Sequence, residues 1–99
     1  MDKEIIFNCG ITKDSLKFFE ANKEAFGEVV KAKMEADKMK IEYRLTLENK
    51  DKEKMIFNGG FSSGYQGEGC RGTLKVLKEC GFDIDLEYIS NNLNFILEK

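Results

Sequence analysis

A stretch from Met39 to Glu48 alternates between apolar and polar side chains, and it constrains the fold more than any other part of the chain. Its apolar positions are Met39, Ile41, Tyr43, Leu45 and Leu47. Successive side chains of a strand point to opposite faces, so this period of two predicts a strand with one face in the core and one in water. The polar turn 49–52 and the short apolar run 53–58 then predict an antiparallel hairpin.

The segments before the hairpin predict a strand followed by a helix. The apolar run 3–9 is typical of a strand, and Thr12 is expected to cap a helix whose apolar stripe reaches Val29 and Val30. We expect a break between Asn22 and Gly27, because both residue types disfavour a helix interior. Segment 31–38 is rich in Ala, Lys, Glu and Met, which favours continued helix. Its alternation of apolar and charged residues keeps a strand as the alternative.

After the hairpin, the chain is expected to form two helices and a last strand. We predict helices over 73–80 and 85–90 and a strand over 93–97, with a single helix over 85–98 as the alternative. The predicted fold is one α+β domain, residues 1–99, in the order β-α-β-β-α-α-β. Its sheet would have about four strands, mainly antiparallel, with the helices packed on one face.

The charge and composition of the chain argue against two classes of function, nucleic-acid binding and membrane association. The net charge is −2 and the 16 basic and 18 acidic residues are intermixed, so no basic surface for nucleic acid is expected. No apolar run is long enough to cross a bilayer and no secretory signal pattern is present, so we expect a cytoplasmic protein without membrane contact. The three cysteines form no close pair and are read as reduced thiols. We expect no metal and no cofactor.

The absence of histidine bears on catalysis. Histidine is the commonest general base and metal ligand, and the chain has none. Cys70, beside a predicted helix start, could be reactive, but it is read as a small hydrophobic residue because nothing pairs with it. We therefore favour a protein that binds rather than one that catalyses.

The segment 55–72 holds six of the nine glycines and only two charged residues, Glu68 and Arg71. Gly67, Gly69 and Gly72 match the pattern G-x-G-x-x-G. A dinucleotide-binding motif needs a strand that runs directly into its glycines, whereas eight residues separate the predicted strand end from Gly67. The segment is therefore interpreted more broadly, as a glycine-rich loop that enters a helix near Gly72.

Such a loop is a candidate anion site. Glycines at 67, 69 and 72 would allow positive φ and let backbone N–H groups converge at the start of the 73–80 helix, where the dipole favours negative charge. The predicted ligand-binding residues are Phe61, Tyr65, Gly67, Glu68, Gly69, Arg71, Gly72 and Thr73.

Each side chain in this set has an expected role. Arg71 would pair with a phosphate or carboxylate, and Tyr65 and Phe61 would stack on a ring. Glu68 would accept a hydrogen bond from a hydroxyl or an amine. The first functional hypothesis is thus a small binding module for a phosphate- or nucleotide-type anion, such as a sequestering protein of a phage or mobile element.

The alternative hypothesis is a protein-interaction domain. Phe57, Phe61 and Tyr65 would form its contact patch, since aromatic residues are enriched at interface centres. An inhibitor, an immunity-type partner or a self-associating subunit would each fit this pattern. The loop could also have no role beyond connecting its neighbours.

Overall fold

The computed structural model of the protein describes residues 3–37 and 39–99. In chain order the elements are β1 (Glu4–Asn8), α1 (Thr12–Phe26), β2 (Val29–Asp37), β3 (Glu42–Asn49), β4 (Lys54–Asn58), α2 (Glu68–Glu79), α3 (Leu86–Asn91) and β5 (Phe95–Glu98). The α+β class is as predicted. Within the described residues the sheet has five strands rather than four.

The strands lie in the order β1-β4-β3-β2-β5. β1 and β4 are parallel, and the other neighbours are antiparallel. The carboxyl ends of β1 and β4 therefore meet at one end of the sheet, and α1 and α2 both begin there. The candidate functional site lies at this end of the sheet.

The additional strand is β2, so over 31–37 the favoured helix is wrong and the strand alternative is correct, while Lys38 lies outside the described residues. Ala32 and Met34 are fully buried, while Lys33 between them and Glu35 after them are not. β2 pairs with β3 on one side and β5 on the other. Because β2 is hydrogen-bonded to a strand on each edge, this tertiary pairing overrides the helix propensity of the segment.

A break was predicted between Asn22 and Gly27. Helix α1 runs unbroken through Asn22 and breaks only at Gly27, the last residue of that stretch. The Asn22 side chain donates to the Phe18 carbonyl at 2.7 Å, so it bonds within the helix instead of disrupting it. The helix ends at Gly27, whose φ of +88° suits glycine, and Val29 and Val30 belong to β2.

The alternating stretch forms β3, but it begins later than predicted. Leu45 and Leu47 are fully buried, whereas Met39 and Ile41 are 93% and 77% exposed. These two residues lie in the turn that joins β2 to β3, so the expectation that they face the core is wrong. Asp37 stabilises this turn by accepting from the backbone N–H groups of Met39 and Lys40.

The three helices pack on one face of the sheet, as predicted. The core on this face includes Leu45, Met55, Phe57, Val76 and Leu77, all with no exposed surface. The helix over 85–90 and the strand after it were also predicted correctly, and Asp85 caps α3 by accepting from Tyr88 N at 2.9 Å. None of the helices in the described residues has the length and apolar character that a membrane span requires.

Candidate functional site

A cleft of about 1110 Å³ lies at the end of the sheet where β1 and β4 finish. Its walls are the starts of α1 and α2, the first residues of the loop that follows β4, and the ends of β2 and β3 next to their connecting turn. Its volume slightly exceeds the about 300–1,000 Å³ typical of small-molecule sites. Ligands commonly bind at the carboxyl ends of parallel strands, because the helices that follow begin there.

Both helices that begin at the cleft lack a side-chain cap. The residues at the cap positions are Ile11 for α1 and Gly67 for α2, and neither has a side-chain oxygen to accept from the first turn. By contrast, α3 begins away from the cleft and is capped by Asp85. The first N–H groups of α1 and α2 are thus left for another acceptor, and both helix dipoles favour negative charge there.

The loop between β4 and α2, residues 59–67, is fixed by hydrogen bonds to the elements around it. Gly59 N donates to Tyr43 O at 2.8 Å, and Gly64 N donates to Ile89 O at 2.9 Å. The Thr12 hydroxyl donates to Gly60 O at 2.6 Å, which joins the start of α1 to the loop. A ligand would therefore meet a loop that is already ordered.

The positive φ values in this segment differ from those predicted. They occur at Gly59, Gly60 and Gly64, and not at Gly67, Gly69 or Gly72. The reason is that α2 begins at Glu68 rather than near Thr73. Gly69 and Gly72 are therefore helical residues, and Gly67 is extended with φ of −177°.

Gly69 and Gly72 instead allow close packing of α2. A Cβ at Gly69 would lie 2.2 Å from the Ser62 hydroxyl, and one at Gly72 would lie 2.6 Å from Cγ2 of Thr12. Real Cβ atoms essentially never approach other atoms below 3.0 Å. Gly69 thus lets the start of α2 pack against the loop at Ser62, and Gly72 lets it pack against the start of α1 at Thr12.

Half of the predicted ligand-binding residues line the cleft, namely Phe61, Tyr65, Glu68 and Gly69. The other half, Gly67, Arg71, Gly72 and Thr73, are not among its lining residues. Arg71 is exposed on α2, and Thr73 is buried, with its hydroxyl donating to Ser62 O at 2.9 Å. These four residues lie outside the cleft lining because the helix begins earlier than expected.

The aromatic patch predicted as a protein contact is not a surface feature. Phe57 and Phe61 have no exposed surface and contact each other edge to face, with ring centroids 4.9 Å apart. Only Tyr65 of the three is exposed. The prediction of this patch is therefore wrong, because two of its members belong to the core.

A row of polar side chains at the cleft was missed at the sequence level. Arg44 Nε donates to Asn58 Oδ1 at 3.1 Å, and Asn58 Nδ2 donates to Asn8 Oδ1 at 2.7 Å. The three residues are neighbours in register across β3, β4 and β1. The antiparallel hairpin brings Arg44 to Asn58. The parallel pairing of β1 with β4 adds Asn8, and that pairing leaves no local signal in the sequence.

Two tyrosines form the aromatic part of the cleft. The rings of Tyr43 and Tyr65 lie 6.3 Å apart at 53°, and the Tyr65 hydroxyl is 3.0 Å from the Ser62 hydroxyl. Burial, followed by the proximity of Tyr65 and Cys70, raises the pKa of Tyr43. Tyr43 is therefore a neutral phenol at neutral pH and can donate a hydrogen bond.

The cleft also carries more acidic than basic side chains. Its charged lining residues are Glu35, Asp37, Glu42, Glu68 and Arg44. Asp37 is engaged in its turn, and Glu35 lies 3.7 Å from Lys33. Among the described residues, no group of three acidic or cysteine side chains is arranged to hold a metal ion. These acidic side chains instead make the binding of a highly negative ligand unfavourable.

The cysteine near the predicted site is a core residue. Cys70 has no exposed surface, and its sulfur lies 3.6 Å from the Ser62 hydroxyl. This placement agrees with its interpretation as a small hydrophobic residue rather than a reactive thiol.

Comparison of the chain with known proteins identifies no relative. No family model matches the chain, and neither a curated protein nor a solved structure is significantly similar to it. The geometry of the cleft is therefore the basis for a functional assignment.

Proposed function

We propose that this protein is a non-enzymatic binding module that holds a small phosphate-bearing ligand of nucleotide type in the cleft at the end of its sheet. The observation that carries the proposal is the meeting of two uncapped helix starts, those of α1 and α2, at one cleft. Backbone N–H groups at a helix start bind phosphate without any base or metal.

The anionic group of the ligand is assigned to the wall formed by the helix starts and the polar row. Among the described residues that line the cleft, Arg44 is the one with a basic side chain. Its guanidinium is held by Asn58, so less conformational freedom is lost when it pairs with a phosphate oxygen. In this proposal Arg44 takes the role that the sequence analysis assigned to Arg71.

The remainder of the ligand is assigned to the tyrosines and the acids. Tyr65 is 47% exposed and lies beside Tyr43, so its ring can contact a base or a sugar. Glu42 and Glu68 can accept hydrogen bonds from ribose hydroxyls or an exocyclic amine. A nucleotide carries both a phosphate and a base with its sugar. Inorganic phosphate would contact only the wall formed by the helix starts and the polar row.

The charge of the cleft limits the charge of the ligand. Four carboxylates and one guanidinium line it, so a triphosphate would meet repulsion that a monophosphate largely avoids. We therefore propose a ligand with a single phosphate. Sequestration of such a ligand in the cytoplasm, as a phage or mobile-element protein would perform it, is the role that follows.

Isothermal titration calorimetry tests the proposal with a panel of nucleoside monophosphates, the matching nucleosides and triphosphates, and inorganic phosphate. We expect a monophosphate to bind more tightly than its nucleoside and its triphosphate. No heat of binding from any phosphate compound up to about 1 mM, equivalent to about −4 kcal/mol, would end the proposal.

A further inference from the structure

The free edge of β1 is the other surface feature that points to a partner. β1 is the first strand in the sheet order and pairs with β4 on one side, and among the described residues no strand pairs with its other edge. Ile5 and Ile6 are 36% and 48% exposed. Because they are adjacent in a strand they point to opposite faces, so the edge is apolar on both faces.

The backbone groups at this edge can be assigned from the pairing with β4. Lys54 N donates to Lys3 O at 2.8 Å, and Cys9 N donates to Asn58 O at 3.2 Å. In a parallel pair, alternate residues of a strand bond to the same neighbour, so residues 5 and 7 also face β4. The N–H and C=O groups of Glu4, Ile6 and Asn8 therefore point outward.

The outward N–H and C=O groups are arranged symmetrically about Ile6. The edge can therefore form hydrogen bonds with the same edge of a second, antiparallel copy. We propose that β1 pairs in antiparallel register with β1 of a second copy of this chain, about a two-fold axis at Ile6. Glu4 then lies opposite Asn8 of the other copy, and the outward N–H and C=O groups of all three residues find partners. The interface is isologous, so it closes at two chains.

The side chains that meet in this register are compatible. Ile6 meets Ile6, and Ile5 meets Phe7, so apolar residues oppose one another on both faces. Asn8 Oδ1 accepts from Asn58, which leaves its Nδ2 able to donate to the Glu4 carboxylate of the other copy. No like charges lie opposite each other between residues 4 and 8.

The other edge of the sheet, β5, provides a matched comparison. Ile96 is also exposed, at 54%, but its neighbour Phe95 is buried and Leu97 is half-buried. The β5 edge therefore presents apolar surface on one face only. Between Glu4 and Asn8, β1 contains no proline and no bulge, two of the devices that protect natural edges.

Sedimentation velocity across a concentration series tests the proposal. Pairing of two short strands buries less than the about 800 Å² per partner of a standard interface, so a dimer that dissociates on dilution is expected. The wild type should approach twice its chain mass of 11.3 kDa as concentration rises. A monomer at all concentrations up to about 1 mM would overturn the proposal.

Two lysine variants identify the edge. Ile6→Lys places like charges opposite each other at the two-fold axis and should give a monomer, whereas Ile96→Lys makes the same change on β5 and should leave the dimer intact. Dissociation by Ile96→Lys alone would assign the contact to β5 and overturn the proposal. Circular dichroism of each variant verifies that it is folded.

Cross-linking gives a readout that does not depend on loss of the dimer. Directly opposed residues of a hydrogen-bonded antiparallel pair have Cα atoms about 5.5 Å apart, within disulfide range. Ile6→Cys should therefore form a disulfide-linked dimer under mild oxidation, while Ile96→Cys and the wild type should not. Equal cross-linking of all three proteins would contradict the proposed register.

Discussion

Replacement of Gly72 by alanine tests the close contact between α1 and α2 beside the cleft. Glycine in a helix interior usually costs about 1 kcal/mol relative to alanine, so Gly72→Ala would stabilise an unconstrained helix. Here the new Cβ would lie 2.6 Å from Cγ2 of Thr12 and 3.1 Å from Cδ1 of Phe61. Phe61 has no exposed surface and packs edge to face on Phe57, so its ring has little room to move.

The magnitude follows from these opposing effects. Overpacking of a core costs about 1–3 kcal/mol, and the propensity gain returns about 1 kcal/mol of it. We expect Gly72→Ala to lower the free energy of unfolding by up to about 2 kcal/mol. In a domain of this size each kcal/mol corresponds to about 4–8 °C in Tm. Urea unfolding followed by circular dichroism measures the change, with an unaltered m value as the sign of an effect on stability alone.

A second substitution separates the contact from a general effect on the helix. Thr12→Ser removes the Cγ2 methyl group and keeps the hydroxyl that donates to Gly60 O. In the double variant it should recover part of the stability that Gly72→Ala loses, which gives a coupling energy in a double-mutant cycle. Strictly additive effects, or an increase of stability in Gly72→Ala, would refute the packing argument.

Three further predictions concern residues around the site. Phe61→Ala should lower the free energy of unfolding by about 3–5 kcal/mol in urea titrations, because Phe61 is a core residue; a loss below about 1 kcal/mol would contradict this. Asp85→Ala should cost about 1 kcal/mol in the same assay, since it removes the cap of α3; an unchanged midpoint would count against the cap. Burial raises the pKa of the Cys80 thiol from 9.0 to about 11, so folding favours the protonated thiol. The resulting stability is present below pH 9 and is lost as pH rises through 11, so wild type should lose stability relative to Cys80→Ala over that window; parallel pH curves would contradict the prediction.

Local patterns in the sequence predicted most of the elements, because those patterns arise from neighbouring residues. The alternation that ends at Leu47 defined β3, and Asp85 marked the start of α3. The pattern failed at Met39 and Ile41, where the same alternation continues into an exposed turn. At β2 the alternation indicated the correct strand alternative, and the helix propensity of the segment was the misleading signal, because pairing on both edges overrode it.

The candidate site was predicted only in part, since it depends on contacts between distant segments. The glycine-rich loop lies between β4 and α2 as predicted, but it ends at Gly67 rather than at Gly72, and its glycines act differently from expectation. Gly72 allows contact with Thr12, a partner that the sequence around it does not indicate. Arg44 was counted among the polar residues of a strand, and only the register across the sheet places it beside Asn58 and Asn8.

The chain's two arginines allow the most direct test of the proposed binding site. Arg44 lines the cleft, whereas Arg71 is exposed on α2 outside its lining. Calorimetric titration of the best nucleoside monophosphate is to be carried out on the wild type, Arg44→Gln and Arg71→Gln. The account predicts at least a tenfold weaker affinity for Arg44→Gln, equivalent to about 1.4 kcal/mol, and an unchanged affinity for Arg71→Gln. Weakening by Arg71→Gln alone, or equal affinity in all three proteins, would contradict it.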